Sequence, residues 1–251
     1  MLPILARTEG DIMKLGKIAF YSFVCLSLSA PLAALAEEKI NNGGFESGAF
    51  DGGWVKVNRE GSHGDWYIDG SPPVYRETIG PASGSYFAVT EQGGAGTHLL
   101  LQAFQLKPGL SSVVLSFDMF RRNYDGAPAS VHPGGLDHNL YPNQHARVDI
   151  LNAAATDWFS TAPGDVAVNV VAPGVDPGTG PVPYIHYEID LTSALSSGGA
   201  FYLRFGEVDN QQPLTVGVDN VSLLAVPEPE AWQALAAGLL LLFGWRRWSK
   251  L

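Results

Sequence analysis

The sequence has a single cysteine, Cys25, among 251 residues, and only 16% of its residues are charged. One cysteine excludes a disulfide framework and the zinc sites that clusters of cysteines build. Basic residues are also scarce, with 15 Lys and Arg against 25 Asp and Glu. A protein that follows nucleic-acid phosphates needs Lys and Arg clustered on one face. These shortages therefore exclude disulfide scaffolds, cysteine-based zinc sites and phosphate-tracking proteins.

Apolar residues, glycine and proline are plentiful instead. The chain is 46% hydrophobic and has six Trp, 29 Gly and 17 Pro. This apolar content is enough for a core and excludes wholesale disorder. The sequence contains no Gly-x-Ser-x-Gly elbow, no His-Glu-x-x-His pair and no phosphate loop. Several familiar classes of enzyme are therefore not indicated.

The first 36 residues have the pattern of a secretory signal peptide. Two lysines precede an apolar run from 18 to 35, and Ala34 and Ala36 form a small-x-small motif just before two glutamates. We predict cleavage after Ala36, with Met13 as a possible true start of translation. The alternatives are a buried core helix and a retained membrane anchor.

The C-terminal end has three parts in order. A Pro-Glu-Pro motif precedes a short hydrophobic stretch at 231–245, and two arginines follow it. The residues of the motif and the basic pair are Pro227, Glu228, Pro229, Arg246 and Arg247. At about 1.5 Å per residue the stretch covers about 22 Å of a hydrocarbon core of about 30 Å, so we expect a short transmembrane helix.

This C-terminal layout, over 226–251, resembles the PEP-CTERM sorting signal of Gram-negative bacteria. The resemblance implies that an exosortase, a processing enzyme in the inner membrane, cleaves the chain near the Pro-Glu-Pro motif. Transient anchoring in the inner membrane is then followed by display at the cell surface or in an extracellular biofilm matrix, with exopolysaccharide as a possible partner. The alternative is an ordinary anchor with an incidental Pro-Glu-Pro.

The middle of the chain, 37–225, has the period of two that is typical of half-buried strands. Apolar residues alternate with polar ones around 113–120 and 185–191. We predict further strands at 74–79, 85–90, 98–106, 146–152, 200–207 and 215–225, and one helical turn at 192–196. Many short strands with Gly/Pro turns indicate one all-β domain, an antiparallel β-sandwich. Two long loops, 123–144 and 172–183, are of a length that is normally functional or mobile.

Two motifs in this domain resemble carbohydrate-binding modules with a jelly-roll, galactose-binding-like fold. They are the opening Asn-Asn-Gly-Gly-Phe-Glu at 41–46 and the closing Val-Asp-Asn-Val-Ser-Leu at 218–223. The resemblance implies a structural calcium ion held by Glu46, Asp219 and the carbonyl of Gly43 or a neighbour. Carboxylates and carbonyls are the ligands that Ca²⁺ prefers. The alternative is that both carboxylates cap turns or bind backbone amides.

Sugar ligands stack on flat aromatic rings, so aromatic side chains are the candidate binding residues. The candidates are Trp66, Tyr67, Tyr124, Tyr141 and Trp158. The alternative is that the tryptophans pack in the core. Imidazoles and a carboxylate near the first long loop suggest a transition-metal site, with a solvated loop as the alternative; these are His132, Asp137, His138 and His145.

The sequence therefore predicts an exported, non-catalytic protein with a structural or glycan-binding β-sandwich. The alternative is a secreted carbohydrate-active enzyme that uses paired carboxylates, as glycoside hydrolysis requires. The carboxylates considered for that role are Asp118, Asp149, Glu188 and Asp190. Apart from calcium, we expect no cofactor and no nucleic-acid partner. Removing the two ends leaves 9 basic and 21 acidic residues, so the exported domain is acidic.

Overall fold

The computed structural model describes residues 35–70, 78–91, 93–124, 128–177 and 182–228. The predicted signal peptide up to Ala34, the predicted transmembrane segment 231–245, and Pro229, Arg246 and Arg247 lie outside these ranges. No helix in the described ranges is long and apolar enough to cross a membrane. Ala36–Pro227 form one unit, and the description below concerns this unit alone.

Twelve strands and one short helix make up the described part of this unit. The strands are β1 (Glu37–Glu38), β2 (Trp54–Asn58), β3 (Asp65–Gly70), β4 (Tyr86–Glu91), β5 (Gly96–Leu106), β6 (Leu110–Asn123), β7 (His145–Asn152), β8 (Val166–Gly174), β9 (Asp176–Pro177), β10 (Ile185–Asp190), β11 (Gly199–Asp209) and β12 (Leu214–Pro227). The helix, α1, is Thr192–Leu195.

The strands form two sheets. The seven-strand sheet has the order β10-β6-β12-β4-β3, with β1 added beside β12 and β9 beside β6. The five-strand sheet has the order β2-β5-β11-β7-β8. Every described pairing is antiparallel except the two-residue contact of β9 with β6. The predicted jelly-roll β-sandwich is therefore confirmed.

The main core lies between the two sheets. Alternate residues of each strand point inward, as the period of two predicts. In β6 these are Val113, Leu115, Phe117 and Met119, all fully or almost fully buried. Phe117 packs edge to face against Phe205 of the opposite sheet, with ring centroids 5.3 Å apart. Aromatic and aliphatic side chains from both sheets thus fill one continuous core.

Two smaller apolar clusters cover the outer faces of the sheets. On the five-strand sheet, Leu99 and Leu101 alternate with the core residue Leu100 and pack with Leu136 and Trp158 from loops. On the seven-strand sheet, an outer cluster contains three buried residues and two partly buried ones: Phe87, Val89, Phe120, Val182 and Tyr184. Loops therefore shield part of both outer faces from solvent.

Several strands escaped the sequence prediction. β2 and β8 lie at edges of the five-strand sheet and β3 at an edge of the other. In β2 one residue is buried and four are more accessible, so its alternation is weak. The predicted strand at 74–79 was wrong at its end, because Thr78 and Ile79 are not in a strand; 74–77 lie outside the described residues.

Candidate functional site

The opening and closing motifs lie against each other. The carbonyl of Gly43 accepts a hydrogen bond of 2.9 Å from the backbone N–H of Val221. A Cβ added to Gly43 would lie 1.8 Å from the carbonyl oxygen of Val221, so only glycine fits there. The β12 register shifts between Asp219 and Ser222, and Asn220 has a φ of 52°. At this bulge Oδ1 of Asp219 and of Asn220 come within 4.0 Å of a Cβ built on Gly44 of the opening motif.

Both proposed calcium ligands bind backbone amides. Oδ2 of Asp219 accepts from the N–H groups of Ala82 and Ser83 at 2.9 and 3.0 Å, and Oδ1 accepts from Asn220 at 2.7 Å. The carboxylate of Glu46 accepts from the N–H of Ser85 at 3.0 Å. The alternative that these carboxylates bind backbone amides is thus what the structure contains, although a carboxylate has further lone pairs.

The oxygens near Gly44 are of the type that calcium prefers. A methyl group built on Gly44 would lie 3.7 to 4.0 Å from Cγ of Glu46 and from Oδ1 of both Asp219 and Asn220. Burial and then the charge of Glu46 raise the pKa of Asp219 to about 6, against the hydrogen bonds from backbone amides. The donors therefore fit calcium in chemical type. However, no group of three or more His, Cys, Asp and Glu that could hold a metal is found in the described ranges.

The first long loop, in its described part 128–144, is well anchored; we name this segment the Tyr141 loop. Ser130 and Gln144 form a bridge across its base. The buried Asn143 donates to the carbonyls of Gly135 and Asp137 at 2.7 and 3.0 Å. These bonds hold 128–144 in a defined conformation.

The anchor extends to the turn before β12. Asn210 donates to the carbonyls of His138 and Leu140 at 2.8 and 3.0 Å. Gln144 donates to the carbonyl of Gln212 at 2.6 Å. Since the loop contacts the start of β12, it lies at the end of the sandwich opposite to Pro227.

The Tyr141 loop displays an aromatic ring to solvent. Tyr141 is 71% exposed, and Val131 on the other arm of the loop is 51% exposed. His132, also on that arm, donates its backbone N–H to Oδ1 of Asn143. The exposed ring of Tyr141 is of the kind on which a sugar ring can stack.

The other four aromatic candidates are placed differently. Trp66 is fully buried in the core, so its prediction as a ligand-binding residue was wrong. Trp158 packs against Tyr202, with ring centroids 5.6 Å apart. Lys56 lies 5.5 Å from the ring centroid of Tyr67, and Arg122 lies 4.1 Å from that of Tyr124. The five side chains therefore do not form one site, and Tyr141 is the most exposed of them.

One arginine ties two loops over the five-strand sheet. The Nε of Arg59 donates to the carbonyl of Leu136 at 3.1 Å, and its guanidinium forms an ion pair of 3.4 Å with Asp137. The same guanidinium lies 4.5 Å from the ring centroid of Phe159. Arg59 thus links the Tyr141 loop to the 153–165 loop.

A buried ionic cluster lies beneath the 153–165 loop, and sequence patterns did not reveal it. Asp149 accepts bidentate bonds of 2.8 and 2.6 Å from Arg147, and bonds of 3.1 and 2.5 Å from Arg204. Arg204 also donates to the carbonyls of Trp158 and Ser160. Burial alone would raise the pKa of Asp149, but the bonds and charges of the two arginines hold it below its usual range.

The four carboxylates considered for glycoside hydrolysis do not share one site. Asp149 lies on the five-strand sheet, whereas Asp118 and Glu188 lie on the seven-strand sheet. Asp118 binds Nδ1 of His186 at 2.8 Å, and Asp190 accepts from the N–H of Thr192 where α1 begins. Asp149 is therefore separated from the other three carboxylates.

The histidines of the first loop also have separate environments. His138 and His145 are buried, so the solvated-loop interpretation was wrong for both. His138 lies 3.3 Å from Oγ1 of Thr97, while Nδ1 of His145 lies 3.4 Å from the carbonyl of Ser130. Burial lowers the pKa of His145 to about 4. Both rings therefore serve to anchor the Tyr141 loop.

Neither the protein-family models nor the curated proteins compared with this sequence match it. Among solved structures, carbohydrate-binding modules are among the matches. One is a module, TmCBM61, in complex with β-1,4-galactotriose, at 12% identity and a TM-score of 0.41, covering 74% of this chain and 97% of the other.

Two further matches have other roles. The K1 cleaved adhesin domain of Lys-gingipain from Porphyromonas gingivalis matches at 12% identity and a TM-score of 0.45, covering 78% of this chain and 98% of the other. A Stig cyclase from Fischerella matches at 16% identity and a TM-score of 0.44, covering 77% and 99%. At these values the likenesses assign no function to this chain.

Proposed function

We propose that this chain is an exported cell-surface or extracellular-matrix protein whose β-sandwich binds glycan without catalysing a reaction. The observation that carries the proposal is Tyr141, whose ring is 71% exposed on a loop anchored by buried Asn143. A large exposed ring loses little freedom on binding when its backbone is already held, so a sugar ring can stack on it at low entropic cost. A neutral exopolysaccharide is compatible with the acidic domain, which has few basic residues to attract an anionic one.

Glycan-array binding with a Tyr141→Ala variant tests this proposal. Half-burying a large side chain contributes about 1 to 2 kcal/mol, so we expect binding to weaken roughly 5- to 30-fold. Tyr86→Ala is the matched control, because Tyr86 is also exposed but lies on β4, away from the Tyr141 loop. Equal binding by Tyr141→Ala and the unchanged protein would contradict the proposal.

We also propose that the chain follows the PEP-CTERM route, with exosortase as its processing partner. The support is the order of the sequence parts, from the predicted cleavage after Ala36 to the Pro-Glu-Pro motif and Arg246 and Arg247. Mass spectrometry of the protein from its producing cell should find an N-terminus at Glu37 and a C-terminus near the motif. A chain that still ends at Leu251 would contradict the route.

A third proposal is that calcium binds at Glu46 and Asp219, with carbonyls such as that of Gly43. Its support is the geometry at Gly44, where an added Cβ would lie within 4.0 Å of Cγ of Glu46 and of Oδ1 of both Asp219 and Asn220. Burial and, less strongly, the charge of Glu46 also raise the pKa of Asp219 to about 6. A cation there would offset that repulsion and tie β12 to the opening motif. Chelator should then lower the melting temperature, and Asp219→Asn should abolish the effect. An unchanged melt in excess chelator would remove the idea.

A further inference from the structure

The last strand of the sandwich is paired on both sides close to the Pro-Glu-Pro motif. On one side, β12 pairs with β6 as far as the Pro227–Leu110 pair. On the other side, β1 pairs with β12 through Glu37–Ala225 and Glu38–Leu224. The first residue of the motif, Pro227, therefore belongs to the folded sheet.

Glu38 fastens β1 to β12. Its Oε1 accepts from the N–H groups of Lys39, Ile40 and Leu223 at 2.9, 2.9 and 2.8 Å. Its Oε2 accepts a hydrogen bond from the hydroxyl of Ser222. The backbone adds a bond of 2.9 Å from the N–H of Lys39 to the carbonyl of Leu223. One side chain thus joins the first strand to two consecutive residues of the last.

Ser111 fastens the very end of β12 from the other side. Its hydroxyl lies 3.2 Å from the carbonyl oxygen of Val226 and 3.3 Å from that of Pro227, and donates to this pair. The β12 register is irregular between Val226 and Pro227, so the regular pairing is interrupted there. The hydroxyl of Ser111 therefore binds both carbonyls at this irregular point of the sheet.

We propose that Glu38 and Ser111 form a clasp that protects the chain up to Pro227, so that the folded sandwich limits where a processing protease can cut. The biological meaning of this clasp rests on the proposed PEP-CTERM route, whereas the protection itself does not. A protease needs an extended, locally unfolded segment, and β12 can supply one only if its pairing opens. Cleavage on the N-terminal side of Pro227 then requires the clasp to open first.

Limited proteolysis of the full chain in mild detergent with pancreatic elastase tests the clasp. Elastase cuts after small aliphatic residues, and the Ala225–Val226 bond offers it a site inside β12. The variants are Ser111→Ala and Glu38→Ala, with Ser193→Ala and Glu60→Gln as controls at exposed positions. Mass spectrometry reads the C-terminal end of the fragment that carries β12, and urea denaturation reports global stability.

In the unchanged protein and both controls, we expect the fragment to keep Pro227. Loss of the Ser111 hydrogen bond should raise the rate of cutting at Ala225–Val226 roughly 2- to 12-fold, and the equilibrium constant for global unfolding in urea should rise by no more than the same factor. Glu38→Ala should raise it further, because it removes four acceptor contacts. If Glu38→Ala fails to fold, Ser111→Ala still decides the question.

The proposal is overturned if the unchanged protein is cut at Ala225–Val226 as fast as Ser111→Ala. It is also overturned if Ser111→Ala is cut no faster than Ser193→Ala. Glycan binding and the native C-terminus are measured separately. A protected β12 with no glycan binding would therefore reject the proposed ligand and leave the clasp in place, and a native C-terminus at Leu251 would reject the sorting route alone.

Discussion

Replacing Asp149 by asparagine is the perturbation that the structure makes most informative. Asp149 is fully buried, and its two oxygens accept bonds from Arg147, Arg204 and Asn169. An asparagine keeps the shape of the side chain but removes its charge. The two buried guanidinium groups then lose the carboxylate that binds both of them.

Removing one partner from a buried ion pair costs about 3 to 5 kcal/mol, since the other charge remains buried. A domain of this size loses about 2 to 4 °C of melting temperature for each kcal/mol. We therefore expect Asp149→Asn to melt roughly 6 to 20 °C below the unchanged protein. Because Arg204 holds the carbonyls of Trp158 and Ser160, the amides of the 153–165 loop should also lose protection from hydrogen exchange.

Urea denaturation is the assay, with Glu60→Gln as the control because Glu60 is exposed. A triple variant sharpens the test: Arg147→Met, Asp149→Leu and Arg204→Met remove every charge of the cluster together. This variant should be more stable than Asp149→Asn, because no uncompensated charge remains buried. A cost below about 1 kcal/mol for Asp149→Asn, which is the range of an exposed pair, would refute the reasoning.

Two further predictions concern acid and close packing. Burial lowers the pKa of both His98 and His145 to about 4 in the folded protein. In the unfolded chain the pKa of a histidine is about 6.5, so the unfolded state binds these protons first as the pH falls. The contribution of the two histidines to stability should therefore be complete above about pH 6.5 and decline toward pH 4, by about 3 kcal/mol for each. Asp219 acts in the opposite direction, because its raised pKa makes the folded state bind the proton first. His145→Gln should reduce the dependence of the free energy of unfolding on pH, measured by urea denaturation at several pH values across this range. An unchanged dependence would contradict the lowered pKa of His145. Gly43→Ala should destabilise the sandwich by about 1 to 3 kcal/mol, because its Cβ meets the Val221 carbonyl at 1.8 Å. Gly164→Ala, where a Cβ meets nothing within 4 Å, should be close to neutral in the same melt, and equal effects would contradict the packing argument.

The sandwich and its central strands could be predicted from alternation alone. Val113, Leu115, Phe117 and Met119 repeat at every second position, and a period of two puts them all on one face. β2 was missed because only one of its five residues is buried, so its sequence carries no clear alternation. β10 also lies at an edge, but its alternation was strong enough to predict it. The opening and closing motifs also met as their resemblance implied, with Gly43 against Val221.

Functional placement depended on the tertiary structure, because exposure is a property of the whole fold. Trp66 and Tyr141 were equal candidates in the sequence, yet one is fully buried and the other 71% exposed. Asp149 and Arg204 are 55 residues apart, and only strand pairing brings their charges together. The sequence by itself determined the all-β class and the acidic, cysteine-free character of the domain at 37–225, since these follow from composition and local period. The tertiary structure alone decided which rings face solvent and which charges are buried, since both depend on contacts between residues far apart in the chain.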